Sequence, residues 1–188
     1  MELRLKNVRI AFPALDEPAA FGEGDPAYQA KFIIEPKSEN TKLLDDAMAA
    51  VAKDKWKEKS DGVLELLKED KKLCFLHSAY KNKKTGEPYL GFEGKYSLST
   101  RNPNKPTVFD QFGNEIKDPR DIKAKIYSGC FVHAKINVWA QDNAYGRRIN
   151  ASIDGVMFAK DGEAFGGSTP ATAADFADLK ADEIEALV

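Results

Sequence analysis

The segment Cys130–Ala140, CFVHAKINVWA, decides the fold class, because every second residue along it is apolar. Side chains of an extended chain point alternately to the two faces of a sheet. Cys130, Val132, Ala134, Ile136, Val138 and Ala140 therefore share one face, small to medium in size, as a barrel interior requires. The other face carries Phe131, His133, Lys135, Asn137 and Trp139. A merely solvated face has no use for two rings interleaved with a cation and hydrogen-bonding groups. This face is expected either to bind a ligand or to be covered by the segment 39–70 or a long loop.

Upstream, Leu3 and Leu5 fall on one face of a strand, and Val8, Ile10 and Phe12 follow after a one-residue slip at Lys6–Asn7, the sequence mark of a β-bulge. Pro13, Pro18, Gly22, Gly24 and Pro26 predict a loop through Phe21, after which Tyr28, Ala30, Phe32 and Ile34 resume the period of two. A helix is expected from about Ser38, with Leu44, Ala47, Met48, Val51 and Lys55 along one face and the main body over 39–58. Gly62 divides it from a shorter apolar segment, Val63 to Leu67, and Trp56 reads as a packing or capping contact.

Downstream of residue 73 the pattern is strand after strand: Leu73–Tyr80, Tyr89–Arg101, Thr107–Phe112, Ser128–Gln141 and Arg147–Phe158. Turn residues separate them at Asn82–Gly86, Asn102–Pro106, Gln111–Asn114 and Asp142–Gly146. One helical insertion among about six strands predicts a mainly β fold, a small barrel or Greek-key sheet. Beyond Gly162 the stretch GGSTPATAA reads as a flexible linker to an acidic tail, giving a body over 1–165 and a linker and tail over 166–188.

A chain of 188 residues is long enough for one proper core, and its formal net charge of −2 conceals two opposed regions. Residues 71–160 carry +8, residues 161–188 carry −6 and the first 70 residues −4. Such asymmetry points to a polyanion-binding surface beside an acidic tail. Single-stranded nucleic acid fits the outward face of 130–140, since unpaired bases stack on rings for about 1–3 kcal/mol each while Lys and Arg follow the phosphates. Candidate stacking residues are Trp139, Tyr145, Tyr80 and Phe131. Candidate phosphate ligands are Lys81, Lys83 and Lys84 in one basic loop, Lys95 and Arg101 flanking the next strand, Lys135, and Arg147 with Arg148 after Tyr145.

Competing chemistries are weaker. Cys74-Phe-Leu-His77 and Cys130-Phe-Val-His133 imitate two halves of a zinc site, yet in a strand residues i and i+3 project from opposite faces. Buried free thiols in a reducing, cytoplasmic setting are the expectation, with no metal and no cofactor. Asp110, Glu115, Asp118 and Asp121 resemble a nuclease cluster only until the neighbouring Lys117, Arg120 and Lys123 are counted, which suit a solvated loop. No G-x-S-x-G, P-loop or HExxH motif is present, so no enzymatic activity is expected. The stretch MELRLKNVRIAF alternates charge with hydrophobe and does not read as a signal-type apolar segment, and the sequence holds no run of about 18 apolar residues of the kind that spans a bilayer. The alternative function is a β-sandwich interaction module or virion component whose rings are protein-contact hot spots.

The segment Tyr127–Asn143 with the Gly/Arg turn after it, the close Asp161-Gly-Glu-Ala-Phe-Gly-Gly, the opening Val8-Arg-Ile-Ala-Phe-Pro and the order Tyr28-Gln-Ala-Lys-Phe-Ile-Ile before Pro36-Lys37 together resemble the single-stranded DNA-binding proteins of tailed bacteriophages. The resemblance implies an OB-fold five-stranded barrel with extra strands, and roles in DNA replication, recombination and repair; a monomer or weak homodimer is the separate expectation. It also implies an acidic tail that contacts replication or recombination proteins; the acids of 175–188, too short for a stable isolated helix, are by their own composition expected to be disordered and to compete with DNA phosphate. Two features depart from the pattern: only two clear strands precede the helix, and the chain ends in Val188 instead of an aromatic residue.

Overall fold

The computed structural model describes residues 1–20 and 24–166. The expected tail and nearly all of its linker therefore lie outside the described residues, as does Phe21 in the first loop. The elements are β1 (Glu2–Ala19), β2 (Ala27–Ile34), α1 (Glu39–Trp56), a 3-10 turn (Lys57–Lys59), α2 (Ser60–Glu69), β3 (Phe75–Leu76), β4 (Tyr96–Asn102), β5 (Thr107–Phe109), α3 (Pro119–Lys125), β6 (Phe131–Asn143) and β7 (Gly146–Lys160). The mainly β fold with a helical insertion is as the sequence predicts.

Its ladders form one seven-stranded sheet in the order β3-β4-β2-β1-β6-β7-β5, antiparallel except for β5 on β7, and they do not close into a five-stranded barrel. The gap is narrow. Cys74 N–H donates to the Ile149 carbonyl at 2.8 Å and Ile149 N–H to the Lys72 carbonyl at 3.2 Å, while Asn102 Nδ2 reaches the Ile153 carbonyl at 2.9 Å. Strong curl of this kind comes from bulges, which bend and twist the strand that carries them.

β1 carries two. Leu5 pairs with Ala134 and Val8 with Val132, so three steps on β1 match two on β6, and Asn7 absorbs the extra residue at φ 50°. That is the slip expected at Lys6–Asn7. A second slip lies between Ala11, opposite Lys31, and Ala14, opposite Gln29, with Phe12 at φ 50°. The sequence reading placed Phe12 on the inward face with Val8 and Ile10; the second bulge turns it out to solvent, 37% exposed. The same bulge lets β1 run on through Pro13 to Ala19, where a loop was expected.

The core holds Leu3, Leu5, Val8, Ile10, Phe32, Ile34, Val132, Ala134, Ile136 and Val138 from the sheet, with Leu44, Ala47, Met48, Ala52 and Trp56 from α1. Ser38 caps α1, its Oγ accepting from Thr41 N–H at 3.2 Å. Lys55, assigned to the buried face, is exposed, and Trp56 takes the contact one position on. Chain reversal at Lys57 (φ 52°) separates α1 from α2, so Val63–Leu67 is an amphipathic helix with Val63 and Leu67 buried. Both helices lie on the inward side of the sheet. The outward face of β6 is therefore not covered by 39–70.

Four other expectations change. The strand expected over Leu73–Tyr80 shrinks to β3, and that over Tyr89–Arg101 begins only at Tyr96, because residues 77–95 leave the sheet and fold back over its outward face. Thr107–Phe112 is likewise only β5. Residues 119–125, read as part of a turn-rich loop, form α3, started by Pro119 and capped by Asp118, whose Oδ1 accepts from Arg120 N–H at 2.8 Å.

Candidate nucleic-acid interface

On the outward face, Arg9 and Ala11 of β1 lie opposite Ile33 and Lys31 of β2, and Lys31 opposite Ser99 of β4. Residues 80–89 fold as a small hairpin over this patch. Tyr89 N–H donates to the Tyr80 carbonyl at 2.9 Å, and the turn at Asn82–Gly86 is closed by Gly86 N–H on the Asn82 carbonyl, with Gly86 at φ 74°. The pairing stacks Tyr80 on Tyr89, centroids 5.1 Å apart, and Phe12 meets both edge-on at 6.0 and 5.0 Å. Beneath them Ala11, Ile33 and Phe92 form a second small core.

Lys31 enters this aromatic hub from below. Its Nζ lies 3.9 Å from the Tyr80 ring centroid and donates to Ser99 Oγ at 2.7 Å. Burial, with Lys83 nearby, pulls its ammonium down to about 8. Burial also pushes the Tyr80 phenol up, so that ring stays neutral at physiological pH. A half-buried amine against an aromatic ring, with no ion pair among the described residues, suits a polyanion with planar substituents.

A second constellation adjoins it. Arg9 lies 4.4 Å from the Phe165 centroid and 5.5 Å from that of Phe131, while Lys160 Nζ is 4.6 Å from Phe131. The strap 161–166 holds these together. Tyr127 Oη donates to Asp161 Oδ1 at 2.9 Å, Arg9 Nη2 to the Glu163 carbonyl at 2.8 Å, and Phe165 N–H to the Ser128 carbonyl at 2.9 Å. Gly129, at φ 112°, permits the close pass, since a Cβ there would sit 2.1 Å from the Glu163 carbonyl oxygen. Phe131 is thus enclosed by Arg9, Lys160 and Gly162, and only half accessible.

Farther along β6 the face opens. His133 is exposed, accepting at Nδ1 from Asn7 N–H at 3.1 Å; Lys135 pairs with Glu2 at 3.0 Å; Trp139 is 38% exposed. At the end, Tyr145 is 89% exposed on the tip of the β6–β7 hairpin. Arg147 is held by Asp142 at 3.2 Å, and the same carboxylate oxygen accepts from Trp56 Nε1 at 2.7 Å, tying the hairpin to the end of α1. These bonds hold the Asp142 carboxyl below its ordinary range. Arg148 has no ion pair among the described residues.

The structure thus divides the candidates. It brings Tyr80, Lys81, Lys83 and Lys84 to the hub and its hairpin, and Trp139, Tyr145, Arg147 and Arg148 to the far hairpin. Lys95 is paired with Glu35 at 2.6 Å, and Arg101 is tethered to the Asp25 carbonyl beside Gln29. Sequence reading missed Phe12, Lys31, Tyr89 and Arg9. Lys31 and Arg9 were legible in principle, each standing opposite in phase to a buried neighbour in its strand; Phe12 was not, because its orientation depends on the bulge.

Cys74 and Cys130 are buried free thiols, with burial pushing them up to about 12 and about 11. His77 points elsewhere, onto Asp45 Oδ1 at 2.8 Å, and stacks on Tyr96. Among the described residues no group of three or more His, Cys, Asp or Glu could hold a metal ion, and no helix is long and apolar enough to cross a membrane.

Residues 1–187 match the family described as the Enterobacter phage Enc34 single-stranded DNA-binding protein. The chain belongs to this family. Protein p50 of Acyrthosiphon pisum secondary endosymbiont phage 1 is 33% identical over 196 residues, covering 100% of this chain and 99% of that protein. Among solved structures, the single-stranded DNA-binding protein of bacteriophage Enc34 in complex with single-stranded DNA superposes with a TM-score of 0.67 at 26% identity, over 88% of this chain and 89% of that one. The single-stranded DNA-binding protein gp2.5 of bacteriophage T7 shares the fold, with a TM-score of 0.55 at 13% identity over 100% of this chain and 98% of that one.

Proposed function

We propose that this protein binds single-stranded DNA without marked sequence preference, in the manner of its phage family, and serves DNA replication, recombination and repair without enzymatic activity of its own. The observation that carries the reading is the aromatic hub: Phe12, Tyr80 and Tyr89 in mutual contact on the outward side of the sheet, with the half-buried Lys31 against the Tyr80 ring. Phe12 is the most accessible of the three rings and the best placed to receive a base. Lys31, Lys81, Lys83 and Lys84 supply phosphate contacts there, and Trp139, Tyr145 and Arg148 extend the track along β6, with Trp139 about 26 Å from Phe131 at the rise of a strand.

Residues 1–165 act as the binding body, since Phe165 packs into the hub's small core, and 166–188 act as linker and acidic tail. A tethered segment carrying Asp175, Asp178, Asp182, Glu183 and Glu185 has a high local concentration beside the hub, so it competes with DNA phosphate and offers a docking segment to replication or recombination proteins.

The test is a salt titration of binding to oligo-dT with the full chain. A log-affinity that falls linearly with log salt, by several released ions, is expected. Absence of any salt-dependent binding to oligo-dT sinks the reading and leaves a protein-contact module in its place.

A further inference from the structure

Phe165 is the last ring of the described chain, and its seat has the properties of a base-binding pocket. One side is the small core of Ala11, Ile33 and Phe92, against which Tyr80 and Tyr89 also pack. The other is the Arg9 guanidinium, 4.4 Å from the ring centroid. The floor is Gly91, at φ 87°, where even a Cβ would come within 2.3 Å of the ring's tip. A planar aromatic group between an apolar shelf and an arginine is how proteins hold unpaired bases, and the arginine can serve the adjoining phosphate as well. The hub around Lys31 continues directly into this seat. Yet the seat is filled by the protein's own side chain, brought there by the strap that leads into the acidic tail.

We propose that this seat is a nucleobase subsite of the single-stranded DNA track, which Phe165 occupies in the DNA-free protein and vacates when a base enters. The proposal rests on the DNA-binding reading above and deepens it. Exclusion here is by shape and apolar contact, so it differs in kind from charge competition: the ring blocks one stacking position whatever the ionic strength. Leaving puts only the bond from Phe165 N–H to the Ser128 carbonyl at risk, because the bonds from Tyr127 to Asp161 and Gly162 and from Arg9 to Glu163 lie upstream of Phe165 and can persist while the ring swings out. Each DNA-binding event would then free the Phe165 ring from the sheet.

Two measurements on the full chain test it. In the first, oligo-dT affinity of Phe165→Ala is compared with that of the unaltered protein at about 0.05 M and about 0.5 M salt. Tightening of about three- to tenfold, of similar size at both, is expected, since salt screens charge competition but not apolar occupancy. Unchanged or weaker binding by Phe165→Ala, or tightening confined to low salt, overturns the subsite. The second uses the unaltered protein, so it survives any folding defect of the variant: chymotrypsin cleavage after Phe165, read by mass spectrometry, should accelerate when oligo-dT is saturating. Unchanged or slower cleavage at that bond overturns the proposal. If the unaltered protein does not bind oligo-dT at all, it is the DNA-binding reading that has failed.

Discussion

The hub at residues 9–12, 31 and 80–92 and the hairpin tip at 139–148 both combine rings with cations, but they are built by opposite means. At the hub, Phe12, Tyr80 and Tyr89 are fixed by mutual contacts and by a small core of their own, and Lys31 is held between Tyr80 and Ser99. At the hairpin, Tyr145 stands 89% exposed with no ring neighbour among the described residues, and Arg147 is already engaged by Asp142. A ring fixed before the ligand arrives loses little entropy on binding, whereas a free one must be ordered at that moment. Composition alone makes the two regions look alike; preorganisation leads us to expect the hub to be the stronger site.

The largest expected effect follows from that difference. Replacing Phe12 and Tyr89 together by Ala should weaken oligo-dT binding by about 100-fold, at about 1–3 kcal/mol for each stacked base. Equilibrium titration by fluorescence anisotropy measures it, with circular dichroism to confirm the fold. A loss of less than about threefold would break the comparison, leaving the hub a structural cluster.

The hairpin supplies the converse. Trp139→Ala with Arg148→Ala is expected to cost about tenfold or less, and the salt slope should fall by about one released ion for the lost guanidinium. A loss larger than that of the hub variant would invert the ranking.

Smaller and sharper is the dependence on pH. Lys31 titrates at about 8 in the folded protein, below the ordinary lysine value, because burial disfavours its charge. A phosphate beside it favours the protonated form, so DNA binding takes up a proton near pH 8, and affinity should fall by a few-fold between pH 7 and pH 9. In Lys31→Gln the affinity is lower throughout and this component of the pH dependence is absent. A profile as steep in the variant as in the unaltered protein would assign the titration elsewhere. The hairpin variant should keep the full pH dependence, which separates the two regions by a property that composition does not reveal.

Much of this was legible in the chain. Alternation in Cys130–Ala140 determined a strand with one buried and one open face, and the slip at Lys6–Asn7 marked a real bulge, because a period of two admits no other local explanation for an extra residue. The split of charge between residues 71–160 and 161–188 and the phage-type motifs pointed to single-stranded DNA and to the family. Periodicity fails where one residue changes the phase without an apolar partner to show it, as at Phe12, whose left-handed backbone turns the ring outward. Nor could it show that residues 77–95 leave the sheet, since Tyr80, Tyr89 and Phe92 are apolar enough for either a strand or a flap.

By itself, then, the sequence determined the long strands at 2–12, 27–34 and 131–158, the helical insertion and the kind of chemistry the surface carries, all properties set within a few residues of chain. Only the tertiary structure decided that α1 lies on the inward side, that Lys31 and Phe12 meet the 80–89 hairpin, and that Phe165 returns to fill a seat between Arg9 and Gly91. The contacts of Lys31, Phe12 and Phe165 join residues from 49 positions apart, Lys31 and Tyr80, to 156, Arg9 and Phe165, and which of many compatible partners meet depends on how far the bulged sheet curls.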